Sequence, residues 1–207
     1  MNSKLQSIYE KMHGKLHSIV PDVELRLKAE LAEELYFKTQ KNAVILGHVY
    51  MEPALYHSIP DHVGDSLALA RKAATTDEDI IVFCGVRFMD ETAKILSSEK
   101  VLVPSLGAGC SLAESMTADD VRKLRKQYIG VPYVNTYADV QAESGICCTS
   151  GNANAVVESL NTDTVFLTDE FMAGNIAREA GIRMIFPTKN PQDLDKRSKD
   201  LDYTIIG

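Results

Sequence analysis

The side chains able to do chemistry gather at a few points. His48 ends the run A-V-I-L-G-H, and Tyr50 follows two residues on. An imidazole and a phenol at that spacing can work as an acid/base pair near neutral pH. Ser66 stands in V-G-D-S-L-A-L-A and Ser150 in C-C-T-S-G-N-A-N-A. In each, a capping residue (Asp65 or Ser66, Thr149 or Ser150) precedes a helical pattern whose first amides are unpaired and suit phosphate or carboxylate. Tyr133, Val134 and Asn135 follow the short run G-V-P. Cys110 lies in G-A-G-C-S-L-A, where small neighbours leave the sulfur open and a helix start just after it would lower the thiol pKa. That context fits a metal ligand or a reactive thiolate. Each residue also has a plainer role: a histidine after a strand can be structural, and both helix starts can be simple caps.

The elements that position these residues are legible as an alternation. Residues 3–40 have a helical pattern, with Val23, Leu25, Leu27, Leu31, Leu35 and Tyr36 at mixed three- and four-residue steps. Then short apolar runs alternate with helical stretches: AVILGH, DIIVFCG before VRFMDETAKIL, KVLVP before TADDVRKLRKQY with Thr117 as N-cap, GICC before NANAVVESL, DTVFL before DEFMAGNIAREA, and IRMIFP. This predicts an α/β fold with parallel sheets covered on both faces. Ligands of such sheets bind beyond the carboxyl ends of the strands, where all the residues above fall.

The units repeat. Phe88–Met89 recurs as Phe171–Met172, 83 positions on, and Ser66 recurs as Ser150, 84 positions on. The expected organisation is a helical segment over 1–42 and two related α/β domains, 43–116 and 117–207. Two anion-binding helix starts at one place in two repeats suit a small substrate with several anionic groups.

Composition excludes other classes. The chain has 207 residues, 45% apolar and 25% charged, a globular balance. Its net charge of −7 weighs against nucleic acid or an anionic membrane as the main partner. No apolar run has the length of a membrane span and the N-terminus has no apolar signal core, so a soluble, cytoplasmic protein is expected. Four cysteines, at 84, 110, 147 and 148, form no CxxC pair, and Cys84, Cys147 and Cys148 fit packing roles.

Taken together, I-L-G-H-V-Y, V-G-D-S-L-A-L-A-R-K-A, I-V-F-C-G-V-R-F-M-D-E-T-A-K-I-L, A-G-C-S-L-A, Y-V-N-T-Y-A-D-V-Q-A-E-S and I-C-C-T-S-G-N-A resemble the quinolinate synthase family, from about residue 43 to the C-terminal end. The resemblance implies pseudo-equivalent α/β domains, three in the family, around a cavity holding a 4Fe–4S cluster on three cysteines. It implies condensation of iminoaspartate with dihydroxyacetone phosphate to quinolinate in NAD biosynthesis, and an iminoaspartate-producing aspartate oxidase or dehydrogenase as partner. By motif, Cys110 is similar to the first cluster ligand. His48, Ser66, Tyr133, Val134, Asn135 and Ser150 are similar to substrate contacts, and Tyr50 to a proton-transfer tyrosine.

The family continues past D-Y-T-I-I-G with two further cluster cysteines, so the resemblance implies one ligand of three here and a chain that does not hold a stable cluster alone. G-V-P-Y-V-N is shorter than the family's usual pattern. Two other readings stay open: a non-catalytic two-domain paralogue that binds an anionic metabolite, and a different α/β enzyme with Cys110 as nucleophile.

Overall fold

The computed structural model describes residues 2–38, 42–126, 129–132, 135–160, 164–188 and 202–206. The chain folds as two compact units, Met1–Ala108 and Gly109–Gly207.

The first unit begins with two helices, α1 (Ser3–Leu16) and α2 (Asp22–Lys38). The long helical pattern breaks at Pro21, which cannot continue a helix but is tolerated ahead of a new first turn. Ile8, Met12 and Leu16 of α1 lie one turn apart and are buried with Leu25, Ala29 and Ala32 of α2. The mixed spacing in α2 resolves into two faces. Leu25 and Ala29 are fully buried, while Val23, Leu27 and Leu31 face outward and are exposed.

Next come β1 (Ala43–His48), α3 (Pro53–Tyr56), β2 (His62–Gly64), α4 (Ser66–Ala73), β3 (Ile80–Cys84), α5 (Arg87–Leu96) and β4 (Lys100–Leu102). The sheet order is β2-β1-β3-β4, all parallel. Val44 to Leu46 and Ile81 to Phe83 are buried without alternation, as strands covered on both faces must be. Each such large side chain contributes roughly 1.5–3 kcal/mol of burial. The helical lead-in is part of this core, because Ile8, Met12 and Leu25 pack with Ile45 and Val82.

The second unit holds α6 (Ser111–Glu114), α7 (Ala118–Leu124), β5 (Ile129–Pro132), α8 (Ala138–Ala142), α9 (Ala153–Leu160), β6 (Thr164–Leu167), α10 (Glu170–Ala180), β7 (Met184–Thr188) and β8 (Asp202–Ile206). Its sheet order is β5-β6-β7-β8. The first three strands are parallel, and β8 adds antiparallel to β7. Met116, assigned by the sequence reading to the end of domain one, is buried here with Val121, Leu124 and Val165. Thr117 caps α7 as expected, in a reciprocal capping box with Asp120.

The repeat is a repeat of topology. β1–α4–β3–α5–β4 in the first unit matches β5–α9–β6–α10–β7 in the second, with the same parallel order. Its two Phe-Met pairs diverge in use: Phe88 is 1% exposed and Phe171 is 84% exposed. One expected strand does not form. Ile146 and Cys147 lie in irregular chain and Cys148 makes a single bridge. Ser144 and Gly145 just before them bend the chain, and the strand that feeds α9 is β5.

Candidate functional site

His48 is the last residue of β1 and only 2% exposed. Getting there requires Gly47. A Cβ at that position would lie 2.5 Å from Met51 Cε and 2.7 Å from Pro60 Cγ. Parallel pairing sets Gly47 against Val63 and His48 against Gly64, so the chain leaving β2 delivers Asp65 and Ser66 beside the imidazole. His48 Nε2 lies 3.1 Å from Ser66 Oγ. The Tyr50 amide donates to His48 Nδ1 at 3.2 Å, and the His48 carbonyl accepts from Met51 N at 3.1 Å. The residues expected from sequence, His48, Tyr50 and Ser66, therefore form one cluster.

Hydrogen bonding assigns the tautomer. Nδ1 accepts an amide proton, so in the neutral ring the proton sits on Nε2 and is donated to Ser66 Oγ. The Ser66 hydroxyl keeps its own proton for another acceptor. Burial holds the His48 pKa below its ordinary value, opposed by the negative charge of Asp65. Asp65 also caps α4, its Oδ1 accepting from Ala68 N at 2.8 Å. What α4 offers an anion is therefore the Ser66 hydroxyl and the first amides of the helix. Tyr50 packs its ring against His48, centroids 4.7 Å apart and tilted by 64°, and is 86% exposed. Its phenol faces solvent and makes no acid/base bond to His48 in this geometry.

In the second unit, Cys110 is half-buried at the N-cap position of α6, a single turn, with its carbonyl accepting from Glu114 N at 3.0 Å. Asn135 is half-buried in the segment after β5. Two residues on, Tyr137 Oη donates to Glu114 Oε1 at 3.4 Å, tying that segment to the turn after Cys110. Tyr133 and Val134 lie outside the described residues. Ser150 is exposed in the turn before α9 and lines a cavity of about 340 Å³ with Asn152, Asn154, Asn175 and Glu179. Thr149, one of the two expected caps, is engaged there. Asn152 stands just ahead of α9, and its Oδ1 accepts from Thr149 N at 2.6 Å and from Thr149 Oγ1 at 3.0 Å. Ser150 stands three residues ahead of Ala153, where α9 begins.

Sequence reasoning passed over Thr168. It directly follows strand β6 with φ +73°, a conformation in which a β-branched residue is an outlier. It is 5% exposed, and its hydroxyl is buried without a hydrogen-bond partner. It lines a cavity of about 520 Å³ with Leu112, Met116, Asp169, Phe171 and Phe186, at the carboxyl ends of β6 and β7. The signal was available, since the 83-residue offset places Thr168 where the first repeat has Gly85.

Burial pushes the thiols of Cys84 and Cys148 up to about 12, which leaves both as packing groups. Cys147 is exposed. Among the described residues no three His, Cys, Asp or Glu side chains converge to hold a metal ion. A 4Fe–4S cluster normally takes three or four protein ligands. The described residues thus offer thiols at half-buried Cys110 and exposed Cys147 that belong to no group of three metal-ligating side chains, and they do not by themselves make a cluster site. Among them no helix is long and apolar enough to cross a membrane.

Residues 33–193 match the family model described as Quinolinate synthetase A protein. The chain is 53% identical over 180 residues to Quinolinate synthase 1 of Mesorhizobium japonicum, covering 84% of this chain and 56% of that protein. It is 50% identical over 188 residues to the quinolinate synthase of Caulobacter vibrioides, 86% of this chain and 50% of that one. It is 55% identical over 153 residues to the quinolinate synthase of Xylella fastidiosa, 72% and 45%. The chain spans about half the length of the curated relatives it matches. A strand-end histidine locked to a helix-start serine, two matching parallel units and this similarity over most of its length agree: the chain belongs to the quinolinate synthetase A protein family.

Proposed function

We propose that this chain supplies the first two α/β units of a quinolinate synthase, which condenses iminoaspartate with dihydroxyacetone phosphate to give quinolinate, phosphate and water in NAD biosynthesis. The observation that carries the reading is the hydrogen-bonded pair of buried His48 and half-buried Ser66 at the carboxyl edge of a parallel sheet, in a chain about half identical to quinolinate synthases. Both substrates are anionic. The Ser66 hydroxyl, oriented by His48 Nε2–H, donates to a carboxylate or phosphate at the start of α4. His48 itself acts as a neutral donor, since its basic Nδ1 is occupied by the Tyr50 amide. The exposed Tyr50 phenol is the proposed proton-transfer group, and Tyr133, Val134, Asn135 and Ser150 are proposed as substrate contacts by their likeness to the family's motifs.

In this reading Cys110 gives one thiolate to a 4Fe–4S cluster whose other ligands come from outside the described residues. The four free cysteines suit a reducing cytoplasm. An aspartate oxidase or dehydrogenase would supply iminoaspartate.

Calorimetric titration with dihydroxyacetone phosphate and with quinolinate tests the reading. Saturable binding that weakens at least tenfold in Ser66→Ala is expected; no heat at millimolar ligand overturns it. A second reading, a non-catalytic paralogue that binds an anionic metabolite, is favoured by Cys110, which belongs to no group of three metal-ligating side chains among the described residues. It predicts the same binding with no quinolinate formed when the chain is reconstituted anaerobically with iron, sulfide and the remaining half of a relative.

A further inference from the structure

Helix α2 is apolar on two opposite sides. Leu25, Ala29 and Ala32 are buried against α1 and the first sheet. On the other side Val23, Leu27 and Leu31 are 80%, 57% and 58% exposed, and Ile19 in the turn ahead is 72% exposed. Steps of four residues keep them on one stripe, since each step returns to nearly the same face of a helix. Single exposed apolar side chains need no explanation, but Val23, Leu27 and Leu31 on successive helical turns, with Ile19 just ahead, form a patch. The stripe precedes residue 33, where the match to the family model begins.

The charges beside the stripe indicate what covers it. Glu24 and Lys28 flank it on one side, Arg26 and Glu30 on the other. Two copies of α2 laid antiparallel about Leu27 bring identical flanks together. Glu24 then lies near Lys28 of the second copy and Arg26 near Glu30, beside the bonds that Lys28 already makes to Glu24 and Glu52 and Arg26 to Asp22 within one chain, while Val23 faces Leu31 and Leu27 faces itself. Glu34 lies near the middle of the same face at its C-terminal end. An antiparallel pair keeps the two Glu34 residues at opposite ends, whereas a parallel pair would set them against each other. Antiparallel helices also align their dipoles favourably. With five acidic and three basic residues, α2 is a poor ligand for an anionic lipid surface, which is held by Lys and Arg.

We infer that α2 is a self-association surface, on which Val23, Leu27 and Leu31 of one copy pack antiparallel against the same stripe of a second. One helix stripe buries less than the roughly 1,200 Å² of a stable interface, so the dimer is weak, with Kd of order 10–100 µM.

Sedimentation equilibrium of the full chain, from about 1 µM to about 1 mM, reads the association directly. Leu27→Glu is expected to weaken it at least tenfold with an unchanged circular dichroism spectrum. Geometry is read by cross-linking in a Cys110→Ser, Cys147→Ser background. Leu27→Cys should form an interchain disulfide on its own, and Val23→Cys only when mixed with Leu31→Cys. Four results overturn the inference: a monomer throughout; a dimer indifferent to Leu27→Glu; Val23→Cys cross-linking to itself as readily as Leu27→Cys; or flotation on anionic vesicles without dimer.

Discussion

His48 Nε2 and Ser66 Oγ meet at 3.1 Å, so one hydrogen bond joins the end of strand β1 to the first residue of helix α4. The bond points the serine hydroxyl away from the imidazole. Removing either partner leaves the other buried or half-buried with an unmet group, at a cost of about 1–3 kcal/mol. Ser66→Ala is therefore expected to lower stability by about 1 kcal/mol while weakening anionic ligands at least tenfold. Denaturant titration and calorimetry separate the two effects. Equal ligand affinity in the variant would show that the hydroxyl is not a contact.

Protonation of His48 should oppose folding. Burial depresses its folded-state pKa below the ordinary value of about 6.5. Below that ordinary value the unfolded chain takes up the proton first, so the contribution is present above it and is lost as pH falls towards the folded pKa. Stability is expected to fall as pH drops below about 6.5 towards the depressed folded-state value, and the slope should flatten in His48→Asn, which keeps an acceptor for the Tyr50 amide. Parallel pH profiles for the two proteins would remove His48 as the cause.

Gly47 carries a different expectation. An added methyl would collide with Met51 and Pro60 at the point where β1 delivers His48. Gly47→Ala should cost about 1–3 kcal/mol and shift the imidazole away from Ser66. Thermal melting reads the first effect and ligand calorimetry the second. An unchanged melting temperature would mean that the Pro60 loop yields freely.

Thr168 should improve on substitution. Its left-handed backbone costs about 1–3 kcal/mol and its unpartnered buried hydroxyl a similar amount. Glycine removes both and gives back about 1 kcal/mol in chain entropy plus some lost burial. Thr168→Gly is expected to stabilise by about 1–2 kcal/mol, and Thr168→Ala by less, since alanine keeps the strained φ. Calorimetric melting orders the three proteins; a glycine variant less stable than the parent sinks the argument.

Much of this was legible in the sequence, for reasons visible at particular residues. The strand carrying His48 and the one carrying Cys84 are short apolar runs with no competing pattern. The cap at Thr117 is a local hydrogen bond and needs no tertiary information. Ser66 and His48 were separately visible, but their bond depends on β2, a three-residue strand too short to show a period. The segment Gly145–Cys148 has strand-like residues, yet bends where Ser144 and Gly145 interrupt it. The two faces of α2 were concealed because burial, not composition, separates Leu25 from Leu27. β8 was unread because it departs from the alternation, pairing antiparallel with β7, the strand that comes just before it in the chain.

The pairing of β2 with β1 is only three residues long, His62 to Gly64 against Leu46 to His48. A slip of one position would move Ser66 by about 3.3 Å, out of reach of the imidazole, and turn neighbouring side chains to the opposite face. Intermediate positions do not exist for a ladder of discrete bonds. The cluster is thus digital: it is assembled or absent, and the Val49 amide, bonded to the Gly64 carbonyl at 3.0 Å, is its clock. The rate at which that single amide exchanges with deuterium measures how often this edge of the sheet lets go of its serine.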